Sequence, residues 1–207
     1  MNLHGLAADA VLFDCDGVLV DSEPISFRAW RAALAAHGFD LDEASFRDSV
    51  GGTDSMVAER FGPQVGADPL RLEREARAAF EEFATAAHPF TDTVALVERV
   101  EASGTPLAVA TNGLRWRLDV LLAAVGLGRL LTHSVTADEV ARPKPAPDLY
   151  RAAARIAGVE PSRCVVVEDS PTGIAAARAA GCRVVAIDRG MFSTDRLAAA
   201  DVVVAEA

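Results

Sequence analysis

The stretch Phe13-Asp14-Cys15-Asp16-Gly17-Val18-Leu19-Val20-Asp21-Ser22-Glu23, which follows directly on the apolar Ala10-Val11-Leu12, decides how the chain is read. Ala10 to Phe13 is wholly apolar, as expected of a strand buried on both faces. Residues two apart on an extended chain project to the same side, so Asp14 and Asp16 present two carboxylates together. They do so at the carboxyl end of a strand, where open α/β sheets bind ligands. Gly17 then frees the backbone for a sharp departure. One aspartate in such a place would be read as a turn cap. Two of them flanking an apolar residue repel and desolvate one another unless a cation lies between them.

Outward from this stretch, short β-branched runs alternate with Ala-rich helical patterns. The other strand candidates are Leu107 to Ala110, Leu131 to Val135, Cys164 to Val167, Val184 to Ile187 and Val202 to Val204. That alternation predicts an α/β fold with a parallel sheet covered by helices. It is interrupted once, from Glu23 to His88, where the pattern is helical without a strand. Phe27, Trp30 and Leu34 recur at helical spacing up to a stop at Gly38. Further helices are predicted over Asp54 to Arg60 and Pro69 to Phe83, with breaks at Gly51-Gly52 and Gly62-Pro63. We read a helical module over 23–87, inserted into a catalytic core formed by 1–22 and 88–207. Trp30 and the phenylalanines of the module are expected to form its own core.

A second acidic pair closes the strand Cys164 to Val167: Glu168-Asp169-Ser170-Pro171 leads into a helix that Gly181 stops. Asp169 or Ser170 could serve as N-cap with Pro171 in the first turn, but capping does not explain Glu168. If these strands are neighbours, as many as four carboxylates meet at one sheet edge, a hard oxygen set that suits Mg²⁺. The four histidines fall at no metal-ligand spacing. At the end of the strand Leu107 to Ala110, Thr111-Asn112-Gly113 offers a hydroxyl and free N–H groups ahead of a helix, a cradle for phosphate. In the proline-stiffened loop Arg142-Pro143-Lys144-Pro145-Ala146-Pro147-Asp148, Lys144 is the only lysine among 20 basic residues. A compact point charge there could serve both a phosphate and a carboxylate.

Composition narrows the function. The chain of 207 residues is 51% hydrophobic and carries a formal charge of −10, which argues against nucleic acid as partner. No apolar run is long enough to span a bilayer, and no basic leader precedes the first strand, so a cytoplasmic protein without a membrane partner is expected. Cys15, Cys164 and Cys182 form no C-x-x-C pair and read as small buried hydrophobes.

Four stretches together resemble the haloacid dehalogenase superfamily, in the branch with a helical cap inserted after the first motif, which includes β-phosphoglucomutase and phosphoglycolate phosphatase. They are Phe13 to Glu23, Val109 to Gly113, Arg142 to Asp148 and Val165 to Gly181, in the family's order. The resemblance implies a Rossmann-like parallel sheet with helices on both faces and an inserted α-helical cap domain. It also implies a Mg²⁺-dependent phosphatase for a small phosphorylated metabolite. By resemblance Asp14 is the nucleophile and a metal ligand. Asp16 is general acid and base and offers its backbone carbonyl to the metal. Thr111 and Lys144 hold the phosphoryl group, and Glu168 and Asp169 complete the metal site. Gly17, Asn112, Ser26, Arg47 and Ser55 are the further candidates for contact with substrate.

Within the family, β-phosphoglucomutase carries a cap His and a cap Arg whose positions align here with Ser26 and Ser55. Losing both favours hydrolysis over a mutase, although Arg47 or Arg28 could substitute. Phosphonate hydrolysis would need a cap lysine, which is absent, and dehalogenation would not use the second aspartate and the magnesium site. A non-catalytic protein that binds phosphorylated ligands is the alternative from another class. A monomer is the working expectation.

Overall fold

The computed structural model describes residues 1–49 and 52–207. Its centre is a parallel sheet of six strands: β1 (Ala10–Phe13), β2 (Leu107–Ala110), β3 (Ser134–Val135), β4 (Cys164–Glu168), β5 (Arg183–Ile187) and β6 (Val202–Val204). Their order across the sheet is β6-β5-β4-β1-β2-β3, so β1 lies between β2 and β4. Phe13 pairs with Val109 on one side and with Val167 on the other, which brings all three strand ends level. The motifs that follow those strands therefore start side by side.

The two-residue side-chain period divides each central strand between two cores. Val11, Phe13, Val165 and Val167 pack into one, with α5 (Thr91–Ala102) and α6 (Arg115–Ala124). Ala10, Leu12, Cys164 and Val166 pack into the other, with α7 (Asp148–Ile156) and α8 (Pro171–Ala180). Because helices cover both faces, β1 and β4 carry no polar alternation. The fold class is as the sequence predicts: an α/β Rossmann-like sheet.

The segment between β1 and α5 holds α1 (Glu23–Ala35), α2 (Glu43–Arg47), α3 (Asp54–Val65) and α4 (Pro69–Phe83). Trp30, Leu34, Leu41, Phe46, Phe61 and Leu72 form a separate hydrophobic cluster there. Asp42, Thr53 and Asp68 cap α2, α3 and α4 by accepting from backbone N–H groups. The two strands that join this segment to the sheet run antiparallel, Val20 against Pro89 and Asp21 against His88.

Two expectations are corrected. The helix expected to break at Gly62-Pro63 continues to Val65 and stops at Gly66, which takes the left-handed conformation at φ 63°. Pro63 has no N–H to donate to the carbonyl four residues back, so the helix loses one ladder bond there and ends within a turn of it. Of the other expected break, Gly51 lies outside the described residues. The strand expected from Leu131 to Val135 pairs only over Ser134–Val135, since it is an edge strand whose Thr132 and His133 are exposed.

Candidate active site

Three loops converge at the carboxyl ends of β1, β2 and β4. Asp14, Glu168 and Asp169 are all buried, and each places one carboxylate oxygen within 4.8 Å of the others. Two glycines permit that closeness. A Cβ on Gly17 would lie 2.0 Å from Asp169 Oδ2, and one on Gly173 in α8 would lie 1.5 Å from Glu168 Oε1. Gly17 also takes φ 77°, which a side chain disfavours.

Lys144 supplies the local positive charge, with Nζ 2.7 Å from Glu168 Oε1 and 2.8 Å from Asp14 Oδ1. Asn112 fixes the lysine's backbone, accepting from its N–H at 2.9 Å and donating to its carbonyl at 3.3 Å. Glu168 is saturated: Tyr150 Oη donates to Oε1 at 2.8 Å, while the N–H groups of Asp169 and Ser170 and the Ser170 hydroxyl donate to Oε2. Although burial pushes Glu168 up, Lys144 and these donors hold its carboxyl below the usual range. Asp14 differs. Its Oδ1 is buried and, although close to Lys144, receives no hydrogen bond in proper geometry. Burial first, and then the charges of Glu168 and Asp16, push Asp14 up to about 8 against the pull of Lys144. Burial likewise pushes Asp169 well above the carboxylate range.

These residues fit a small divalent cation. Three buried carboxylates whose formal charge exceeds what one lysine neutralises make a hard-donor site short of positive charge. Asp14 and Asp169 are the side chains with capacity to spare, and Glu168 is committed to Lys144, Tyr150 and the backbone.

Asp16 does not join the acidic cluster. It turns toward Arg117, whose Nη2 lies 2.8 Å from Oδ1, and also accepts from Ser22 and Thr111. Burial raises Asp16, but Arg117's charge and the donated hydrogen bonds outweigh it and hold the carboxyl below its ordinary value. Of the four carboxylates expected at this sheet edge, three lie within reach of one another, and a buried arginine engages the fourth. Thr111 Oγ1 accepts from Gly113 N–H at 2.9 Å, so that N–H of the expected phosphate cradle is engaged.

Over these groups lies a cavity of about 70 Å³, lined by Asp14, Asp16, Thr111, Asn112, Lys144 and Asp169 from the sheet side. Glu23, Ser26, Trp30, Ser49, Thr53 and Asp54 line it from the inserted segment.

Residues 8–181 match the family model described as haloacid dehalogenase-like hydrolase. The chain belongs to that family. It is 35% identical over 196 residues to validoxylamine A 7'-phosphate phosphatase of Streptomyces hygroscopicus subsp. limoneus, covering 92% of this chain and 90% of that one. It is 34% identical over 175 residues to fructose-1-phosphate phosphatase YqaB of Escherichia coli, with 83% and 92% covered. The crystal structure of CbbY from Rhodobacter sphaeroides in complex with phosphate superposes with a TM-score of 0.86, at 27% identity over 96% of this chain and 94% of that one.

Within this haloacid dehalogenase-like hydrolase, the candidates for substrate contact fare unequally. Ser26 is buried, lines the cavity and accepts from Arg117 Nη2 at 2.7 Å. Arg47 faces a different cavity beside Arg28 and Met191, where it pairs with Glu43. Ser55 is exposed on α3, and its neighbour Asp54 lines the cavity instead. A helix turns about 100° per residue, so an alignment off by one selects the wrong face. Arg117, Glu23 and Asp54 are charged lining residues that the sequence reading did not name among the site residues. Nothing in the sequence set apart Arg117, which stands in the first turn of α6 among other polar residues.

Proposed function

We propose that this hydrolase is a Mg²⁺-dependent phosphatase that removes phosphate from a small phosphorylated metabolite, such as a sugar phosphate, by way of a phospho-aspartate at Asp14. The observation that carries the reading is the gathering of three buried carboxylates, Asp14, Glu168 and Asp169, around the single ammonium of Lys144, which lies 2.8 Å from Asp14 Oδ1. The named phosphatases among its relatives support the reaction class.

In this reading Asp14, Asp169 and the backbone carbonyl of Asp16 hold the ion, which when bound offsets the repulsion between a carboxylate nucleophile and a phosphate dianion. Lys144, kept charged by Asp14 and Glu168 despite its burial, neutralises the transferring phosphoryl oxygens together with the Thr111 hydroxyl. A carboxylate oxygen of Asp14 attacks phosphorus, the P–O bond to the leaving group breaks, and Asp16 delivers the proton to the departing alkoxide. Asp16 then takes a proton from the water that hydrolyses the intermediate. The Arg117 ion pair favours its carboxylate form, so the acid role requires that contact to loosen as substrate binds.

We place the cap at 23–87 and the core at 1–22 and 88–207. Sites for metabolites usually measure about 300–1,000 Å³, so a cavity of about 70 Å³ corresponds to a closed cap. The paired linkers Val20–Asp21 and His88–Pro89 form one hinge ribbon for opening. Neither Arg28 nor Arg47 lines the cavity, which supports hydrolysis over the mutase alternative, since a mutase must hold a second phosphate.

The test is Mg²⁺-dependent release of phosphate from p-nitrophenyl phosphate by the wild type and by Asp14→Asn. Turnover by the wild type, with none from the folded variant, supports the proposal. Full activity of the variant rules out the phospho-aspartate, and no turnover by the wild type favours the non-catalytic alternative.

A further inference from the structure

The chemistry of the leaving group is written in the charges of the cap side of the cavity, and this inference rests on the phosphatase reading above. Arg117 and Lys144 are the basic side chains that line the cavity among the described residues, and both are committed. Arg117 is bound to Asp16 and Ser26, and Lys144 to Asp14 and Glu168. Val50 and Gly51, outside the described residues, carry no side-chain charge. On the same lining stand two carboxylates the reaction does not use, Glu23 and Asp54.

Both are the first residues of helices, Glu23 of α1 and Asp54 of α3. Such ends would ordinarily attract an anion. Here the protein's own carboxylates sit at them, and Asp54 is further held by the Trp30 indole N–H at 3.3 Å. The rest of the cap-side lining among the described residues is uncharged, with the hydroxyls of Ser26, Ser49 and Thr53 beside Trp30, Phe46 and Val57. A second anion brought into this small cavity meets like charge and no uncommitted cation among the described residues. Hydroxyl or ammonium groups find carboxylate and hydroxyl acceptors. We infer that the substrate is a monophosphate whose leaving group is a neutral polyhydroxylated or amine-bearing moiety, and that a second phosphate or a carboxylate on that moiety is rejected.

The test measures competitive inhibition of Mg²⁺-dependent p-nitrophenyl phosphate hydrolysis at pH 8. That lies above the value of about 7 to which burial, followed by the charge of Asp16, raises Glu23. Glucitol 6-phosphate and 6-phosphogluconate are open-chain six-carbon monophosphates that differ at one end, alcohol against carboxylate. The carboxylate form is expected to bind at least about tenfold more weakly. Asp54→Asn is expected to narrow that ratio by about threefold or more, with most of the change on the carboxylate side. Equal or tighter binding of 6-phosphogluconate by the wild type would overturn the inference. So would an unchanged ratio in a folded Asp54→Asn protein. Failure of the wild type to hydrolyse p-nitrophenyl phosphate at all would instead sink the phosphatase reading, and this inference with it.

Discussion

The floor of the cavity and its roof are built on opposite principles. The floor is a set of loops at strand ends, where every carboxylate has a stated partner or a stated deficit. Glu168 is saturated by Lys144, Tyr150 and Ser170, whereas the buried Asp14 Oδ1 has beside it only the ammonium that it shares with Glu168. The roof is a helical segment with its own core of Trp30, Leu34, Phe61 and Leu72, and it meets the floor through few polar groups. Arg117 is the main one, spanning from Asp16 to Ser26 and stacking over Phe80 of α4 at 4.1 Å. In the proposed reading the floor sets what reaction occurs, and the roof sets on what.

The largest effect should come from the floor. Asp14→Asn is expected to abolish turnover while leaving the protein folded, since it removes a charge whose burial is penalised; assays of phosphate release beside thermal melts would check both parts. Next comes Gly173→Ala, which drives a Cβ into Glu168 and displaces a buried ion pair. We expect a loss of about 3–5 kcal/mol in urea unfolding. A loss below about 1 kcal/mol would mean that the Glu168–Lys144 pair tolerates rearrangement.

Arg117 joins the two regions, and its removal sharpens the contrast. Arg117→Met is expected to lower kcat by about 10–100-fold, at or below the lower end of the ~10²–10⁴-fold that acid–base catalysis supplies. It should also move the acid limb of the pH–kcat profile upward, because Asp16 loses the charge that keeps it ionised. A merely structural arginine would leave the limb in place. The same ion pair stabilises the fold above the ordinary carboxylate range and is lost as pH falls through the lowered value for Asp16, so the variant should show less of this acid-side dependence.

The smallest effect belongs to the roof. Glu23 is raised to about 7, so its ionisation on passing from pH 5 to pH 8 destabilises the folded state. Because Glu23 is half-buried, solvent reduces the effect, and Glu23→Gln should flatten the stability profile over that window by about 1 kcal/mol.

What the sequence showed follows the same division. Asp14, Lys144, Glu168 and Asp169 were legible because each follows an apolar strand or a proline-stiffened loop, where a charge has no bland explanation. Glu168's role was only half legible, since sequence cannot tell a saturated carboxylate from one free to bind an ion. Arg117 was not legible: Arg115-Trp116-Arg117 reads as an ordinary helix surface until the packing of Phe80 and Ser26 encloses it. On the roof, Ser26 was found through its alignment with a neighbouring motif. Ser55 is exposed and Arg47 lines another cavity, placements the sequence could not give because the bounds of α2 and α3 decide which residue faces inward, and helix starts are uncertain by a residue or two.

The most direct measurement is a high-resolution crystal structure of the wild-type protein grown with Mg²⁺. The account predicts one octahedral ion with carboxylate oxygens of both Asp14 and Asp169 at about 2.0–2.1 Å. Saturating Mg²⁺ that leaves this position empty, or an ion bound by only one of the two aspartates, would contradict it.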